Sequence, residues 1–516
     1  MHIFGEVRRQ PTGVALVLVA LSLAALILGL LPSTPATAMP APPPPTRNEP
    51  ALDVALRAAR SFDVRQVART DRRLRAGRFP TVAVGELSWR TSGTNGWLAG
   101  FWPGRLWQAY QLTGDQHWAR RATAREAPLV VRAGDTTTHD LGFLLQTSFA
   151  AGADLTGSRS DRAVALRAAR TLAGRFVPSV GALRSWAGPS GETTVIVDSL
   201  MNDDLLFWGA DHGGPAAWRT MGRQHALTVA RWNLRTDGST FHVVRFDDQT
   251  GQPVWRGTAQ GLSDDSTWAR GQSWAVAGFT EAYGETRDPA LLEAARRAAS
   301  WTLAHLPTDG VPWWDYDAPG TQRDTTAGAI LASGLLDLAR LDPDPQHRAT
   351  WRAGGLHTLR SLVSPQYLAR GTGGWSVLLH GHHDATYPDD GVTYGDYYLG
   401  QALLRLQLLP STRRALPVTA STRSAGVTQV ELGRVRDVGA VSVRWRHGDS
   451  AATRFRVQIS RDGRIWRTVR SGVSSGAVAT AETYDFADRQ THFVRVRPLG
   501  TSKGSPGWVV RLVPRA

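Results

Sequence analysis

Between about Ala51 and Leu409, apolar residues recur at spacings of three and four, and this pattern constrains the chain most strongly. Punctuation falls at Gly114, Gly157, Gly213, Gly284 and Pro343. After most of these marks, acids or small polar residues precede a new apolar-periodic run, such as DPALLEAARRAASWTLAHL. The text reads as helix–turn–helix units roughly 40–70 residues apart, the pattern of stacked helical hairpins. One closed solution is an all-α toroid of paired helices, the (α/α)6 barrel, with its site at the ends of the inner helices. Periodicity alone does not separate that toroid from an open solenoid.

After Pro410 the character changes. VTQVELG, AVSVRWR, TRFRVQIS, HFVRVRPL and GWVVRLV alternate at period two, and Asp462-Gly463 marks a hairpin turn. A small all-β sandwich is expected over 418–516, joined to the helical region (51–410) by a linker at 411–417. The segment from Pro417 carries 17 basic residues against 7 acidic, most of the chain's net charge of +15. Lys503 is the only lysine. No long run of bases appears, so a nucleic-acid partner is not expected, whereas a polyanionic substrate is compatible with the charge.

The N-terminus has Arg8-Arg9, an apolar run from Val14 to Leu31, and Ala36-Thr37-Ala38. This is a signal-peptide layout over 1–38, followed by a Pro-rich spacer at 39–50. Bacterial-type export to the exterior is expected, with no membrane association after cleavage; an uncleaved anchor is the rival reading. The chain has no cysteine, which leaves neither disulfide nor thiolate metal site.

Twenty tryptophans outnumber both Phe and Tyr, and indoles stack on sugar rings. In SDDSTWARGQSW, Asp265 or Ser266 reads as the cap of a helix on which Arg270 and Trp274 share a face. Such a pair can grip a polar ring; a structural Arg–Trp stack is the alternative. WLAGFWPGRLW holds Trp97, Trp102 and Trp107 beside two glycines, an aromatic wall or core packing. In THDLGF, Asp140 sits at a helix start, where an Asp is usually a cap. Asp198 lies between Val195-Ile196-Val197 and Leu200-Met201. Desolvation there raises a carboxyl pKa toward what a general acid needs at neutral pH, unless the group is a buried cap. His242, Gln260 and Arg270 each read alone as ordinary polar residues. His380, His382, His383 and Asp384 cluster, but nothing supplies the other half of a zinc motif, so neither metal nor cofactor is expected.

The ordered set of Trp97 with GFWPGRLW, HDLGF, RSW, VDSLMN, DGSTFH, SDDSTWARGQSW, WWDYDAPGTQRDTTAGAI and YGDYYL resembles the unsaturated glucuronyl hydrolases, glycoside hydrolase family 88, over roughly residues 60–409. The later VELGRVRDVGAVSVRW and RFRVQISRDGRIWRTV resemble a discoidin (F5/8 type C) module whose opening segment is shortened. The resemblance implies an (α/α)6 barrel and removal of the 4,5-unsaturated uronic acid that polysaccharide lyases leave at a non-reducing end. It also implies Asp198 as general acid/base and Asp140 as the second essential carboxylate. His139, Trp97, Trp186, His242, Gln260, Arg270 and Trp274 would contact substrate. Unsaturated uronic-acid oligosaccharides are the expected partners, with an anionic polysaccharide on the C-terminal module. The rival readings are an unsaturated rhamnogalacturonyl hydrolase acting on pectin fragments and a non-catalytic glycan-binding protein.

Overall fold

The computed structural model describes residues 49–85, 88–446, 451–476, 481–504 and 508–516. The apolar N-terminal run and its A-x-A site lie outside them, as does most of the Pro-rich segment. Among the described residues, twelve α-helices alternate between an outer and an inner ring. The outer set is α1 (Glu49–Asp71), α3 (Gln116–Glu126), α5 (Arg159–Ala173), α7 (Ala217–Trp232), α9 (Pro289–His305) and α11 (Pro345–Leu362). The inner set is α2 (Phe101–Thr113), α4 (Ala151–Thr156), α6 (Asp203–Asp211), α8 (Ala269–Thr286), α10 (Thr325–Leu341) and α12 (Thr393–Arg405). A segment with π-type turns, Gly142–Ala150, leads into α4. The inner ring packs in order, with the Gly142–Ala150 segment bridging α2 to α6, and α12 returns to α2, so the ring closes. This settles the toroid against the solenoid.

Composition explains which helix goes where. Nearly every residue of α10, from Thr325 to Leu341, is buried, including Gly328, Ser333 and Gly334. A helix apolar or small on all sides belongs inside. In α9 only one stripe is buried, with Leu291, Leu292, Ala295, Ala298 and Ala299 turned to the core. Glycines at 114 and 157 end α2 and α4 in the left-handed region, as the punctuation predicts. Gly284 does not end its helix: α8 runs on to Thr286 and is closed by Arg287 at φ 56°.

The C-terminal domain is all-β. Two long strands, Val427–Arg446 and Glu482–Thr501, pair antiparallel and carry breaks of register that let them bend. Their early and late halves pair with different neighbours: Ala420–Ser424 and Thr453–Ser460 on one side, Trp508–Arg515 on the other. Val441, Val443, Trp445, Phe455, Val457, Tyr484, Val494 and Val496 fill the space between. The expected turn at Asp462-Gly463 joins Thr453–Ser460 to Arg467–Val473. Asp462 accepts from the Arg464 and Ile465 N–H groups, and these bonds hold its carboxyl down at about 2.

This domain is docked on the barrel. Val473 and Ala452 join a barrel core cluster with Trp107, Tyr110 and Leu155. Arg60 of α1 pairs with Asp485, and Arg413 bridges Asp53 and Asp488. Gly157, at φ 74°, faces the Ser502 carbonyl so closely that a Cβ has no room. All these contacts involve the C-terminal ends of inner helices or the outer wall. Among the described residues, no helix is long and apolar enough to cross a membrane.

Candidate active site

The opposite end of the barrel gathers the starts of α2, α6, α8, α10 and α12 and of the Gly142–Ala150 segment that leads into α4. Trp97 precedes α2, Asp140 precedes the segment leading to α4, and Asp198 precedes α6. Arg270 lies in the first turn of α8, Asp324 caps α10, and Tyr394 lies in the first turn of α12. A four-stranded antiparallel sheet adds Trp186 from Trp186–Ala187, and His242 from the residue before Val243–Asp247.

Asp198 sits on a short turn, Val197–Asn202, that follows the buried strand Glu192–Ile196. Its side chain is 15% exposed, and its Oδ1 has no hydrogen-bond partner. Burial pushes the carboxyl up to about 7, with the Arg270 charge working against this and the Asp140 charge adding to it. The backbone amide that bonds this carboxyl is Asp198's own, and the N-cap position of the turn belongs to Ile196, so Asp198 is not the cap.

His242 is aimed at Asp198. The Ala259 N–H donates to His242 Nδ1 at 3.2 Å, which fixes the proton of a neutral ring on Nε2. Nε2 lies 3.5 Å from Asp198 Oδ1, short of a hydrogen bond. Burial and the Arg270 charge hold His242 down at about 3, so the ring is neutral. Trp268 lies against it, with ring centroids 4.4 Å apart.

Asp140 is likewise not a cap. The N–H groups of Gly142 and Phe143 donate to Asn202 Oδ1 at 2.8 and 3.2 Å, so Asn202 does the capping. A Cβ at Gly142 would meet Asn202 Cα at 2.6 Å, which requires glycine here. Freed from the backbone, Asp140 accepts from Thr138 Oγ1 and lies 3.2 Å from His139 Nε2. That nitrogen is buried without a hydrogen bond. Trp186, 40% exposed at the rim, stands edge-on to both His139 and His242.

Arg270 is more firmly held than the sequence suggests. Nη1 donates to Asp324 Oδ2 and the His382 carbonyl, and Nη2 to Gln260 Oε1 and the His383 carbonyl. Four acceptors occupy its four Nη hydrogens. The guanidinium stacks on Trp268 at 4.4 Å and faces Tyr394 at 5.3 Å, so its indole partner is Trp268 and not Trp274. The expected cap of this helix is also corrected. Trp268 occupies the N-cap position and makes no side-chain bond. Ser266 instead bonds Asp315, and the Ala269 N–H is taken by the Trp314 carbonyl.

Trp97 stacks on Tyr394 and His383 with centroids 5.6 and 6.4 Å away. Trp274 is only 1% exposed and packs between Phe143 and Tyr398, beneath the pocket. Eight of the nine residues selected from the sequence line one cluster; Trp274, expected to contact substrate, is instead buried beneath it, because its indole is enclosed by Phe143 and Tyr398. Sequence reasoning missed Trp268, Asp324, His383 and Tyr394. The histidine cluster disperses: His380 pairs with Asp389, His382 stacks on Trp314, and His383 joins the pocket. Among the described residues, no group of three or more His, Cys, Asp or Glu side chains is placed to hold a metal.

A closed ring of paired helices with a buried acid, a neutral histidine and an aromatic rim at one end defines a helical-barrel glycoside hydrolase. The comparisons with known proteins narrow this. An unsaturated glucuronyl hydrolase of Bacillus sp. (strain GL1) is 35% identical over 345 residues, 64% of this chain and 91% of that protein. An unsaturated chondroitin disaccharide hydrolase of Streptococcus pyogenes is 33% identical over 63% of this chain and 85% of its own length. A crystal structure of an unsaturated glucuronyl hydrolase specific for heparin, 32% identical, superposes with a TM-score of 0.65 over 68% of this chain and 97% of its own. A Streptococcus agalactiae unsaturated glucuronyl hydrolase complexed with dGlcA-GalNAc6S, 28% identical, gives 0.59 over 69% and 92%. Residues 418–512 match the F5/8 type C domain family. The chain belongs to the unsaturated glucuronyl hydrolases, glycoside hydrolase family 88, and carries an F5/8 type C domain at its C-terminus.

Proposed function

We propose that the protein removes the 4,5-unsaturated uronic acid from the non-reducing end of lyase-generated oligosaccharides by hydrating the vinyl ether of that sugar. The observation that carries this is Asp198: a carboxyl at about 7 with an unpartnered oxygen, facing a neutral His242. A group poised near neutrality can give a proton and then take one, typically worth ~10²–10⁴ in rate.

The protonated Asp198 gives its proton to ring carbon 4, and positive charge develops at carbon 5, shared with the ring oxygen. Asp198, now a carboxylate, takes a proton from water as that water's oxygen bonds to carbon 5. The resulting hemiketal breaks its bond from carbon 5 to the ring oxygen, leaving a ketone. Carbon 1 is then a hemiacetal and releases the remaining sugar as an alcohol. The sum is one water added and one glycosidic bond lost, without the carboxylate pair of acetal-cleaving enzymes.

The other side chains serve this step. The His242 Nε2–H steadies the Asp198 carboxylate formed midway. Arg270 gives a fixed positive charge toward the uronate and holds Gln260 in place. Trp97 and Trp186 cover the ring faces.

The test is loss of the double bond's ultraviolet absorbance on a panel of unsaturated disaccharides from glycosaminoglycans and from pectin. Asp198→Asn is nearly isosteric but cannot exchange a proton, and is expected to lower turnover at least ~10²-fold with the fold intact. Activity within about tenfold of wild type would remove Asp198 from its role. Turnover of the pectin disaccharide alone would make this a rhamnogalacturonyl hydrolase.

A further inference from the structure

The C-terminal sheet holds four arginines where strand pairing forces them together. Arg456, on Thr453–Ser460, stands directly opposite Arg497 of Glu482–Thr501. Arg495 is two residues along, opposite Gln458, and Arg454 is two residues before Arg456. Alternation places all four on one face, because Phe455, Val457, Val494 and Val496 between them are buried in the core. Arg456 and Arg497 are exposed. Among the described residues, none of the four has a carboxylate within ion-pair distance. Asp485 and Asp488 reach Arg57, Arg60 and Arg413, and Glu431 reaches His492. Burial and the charge of Arg497 hold Arg495 below the usual guanidinium range, a sign of crowding by like charge. Like charges directly opposite on a sheet are destabilising, and among the described residues no carboxylate offsets this pair.

The face continues onto the barrel. At the α2–α3 turn, Gln116 and Arg120 join Arg454, Arg456 and Ser471 around a groove of about 370 Å³. The one carboxylate there, Asp115, is turned to its own helix and accepts from the His117 N–H as N-cap. This groove lies beyond the C-terminal end of α2, whereas Trp97 lies before its start. A 13-residue helix separates them by about 20 Å.

We infer that this arginine face, continued by Arg120, is a docking surface for a linear polyanionic glycan, separate from the catalytic pocket. Guanidinium forks match carboxylate and sulfate groups. On the sheet they repeat at about 5 Å across strands and about 7 Å along them, a grid for an extended chain with charges at intervals. Gln458, buried among them, accepts from Arg495 and donates to Thr468, which fixes the Arg495 guanidinium in place. The nearby half-buried indole, Trp466, has one face covered by Arg495 at 4.0 Å, which leaves it a poorer platform for base stacking.

The test uses the full chain and intact chondroitin sulfate, a polymer without the unsaturated end that the pocket would take. Arg456→Gln/Arg497→Gln is compared with Arg423→Gln/Arg511→Gln, which removes the same charge from other, exposed positions of the domain. The first pair is expected to weaken binding about tenfold, or 1.4 kcal/mol, and the second less than about twofold. Melting temperature should hold or rise in the first variant, since a like-charge pair is relieved. No weakening, or equal weakening by both pairs, overturns the inference. So does tighter binding of a single-stranded oligonucleotide at the same salt, which would make the face a nucleic-acid surface. Turnover of an unsaturated disaccharide, read in parallel, reports separately on the proposed reaction.

Discussion

Asp198 and Asp140 are two carboxylates kept from capping duty by their surroundings, one by the geometry of its turn and the other by Asn202. Their coupling gives a pH prediction. In the proposed reaction Asp198 starts protonated, so kcat/KM should fall above about pH 7 as that proton is lost. The negative charge of Asp140 helps keep the proton on, so Asp140→Asn should lower the Asp198 pKa. The alkaline limb should then move to lower pH, together with a loss of rate. An unmoved limb in the absorbance assay would uncouple the pair. The sequence already exposed Asp198, because apolar residues flank it on both sides. It could not show that Asp140 is free of its helix, because the group that frees it lies about 60 positions away.

Helix α8 shows how an element builds a pocket from below and from above. Its first turn places Arg270 over Trp268, and one turn on, Trp274 supports Phe143 and Tyr398. Trp274→Ala should empty a large space in the core and cost about 3–5 kcal/mol, seen as a lower denaturation midpoint. Any loss in kcat/KM should follow from the loosened floor. A variant as stable as wild type with unchanged kinetics would deny Trp274 that part. Arg270 cannot be tested by alanine alone, since Asp324 is 0% exposed and would be left as an unpaired buried charge. The shared face of Arg270 and Trp274 was legible from their spacing. Their partners were not: Asp324 is 54 positions from Arg270, and the carbonyls of His382 and His383 more than 110.

At the scale of the whole molecule, the β-domain closes the end of the barrel away from the pocket. Removing it after Ser411 would expose Trp107, Tyr110 and Leu155, and strip Arg60 of Asp485. A lower melting temperature is therefore expected, while turnover of a disaccharide per folded molecule should persist. Lost turnover in a still-folded fragment would mean that the domain shapes the pocket after all. The sequence separated the two folds cleanly through the change from helical to alternating periodicity. It left their docking open, because that rests on close approaches such as Gly157 to Ser502, between residues far apart in the chain.

The common direction of the inner helices has an electrostatic consequence. Each peptide unit carries a dipole along the helix axis, so every helix ends in roughly half a positive charge at its start. The poles of α2, α6, α8, α10 and α12, with that of the Gly142–Ala150 segment, converge on one pocket, each strongest within its first turn. They form a standing positive potential that needs no titratable side chain and does not change with pH. In the proposed reaction, a uronate carboxylate entering the pocket would meet that potential along with the charge of Arg270.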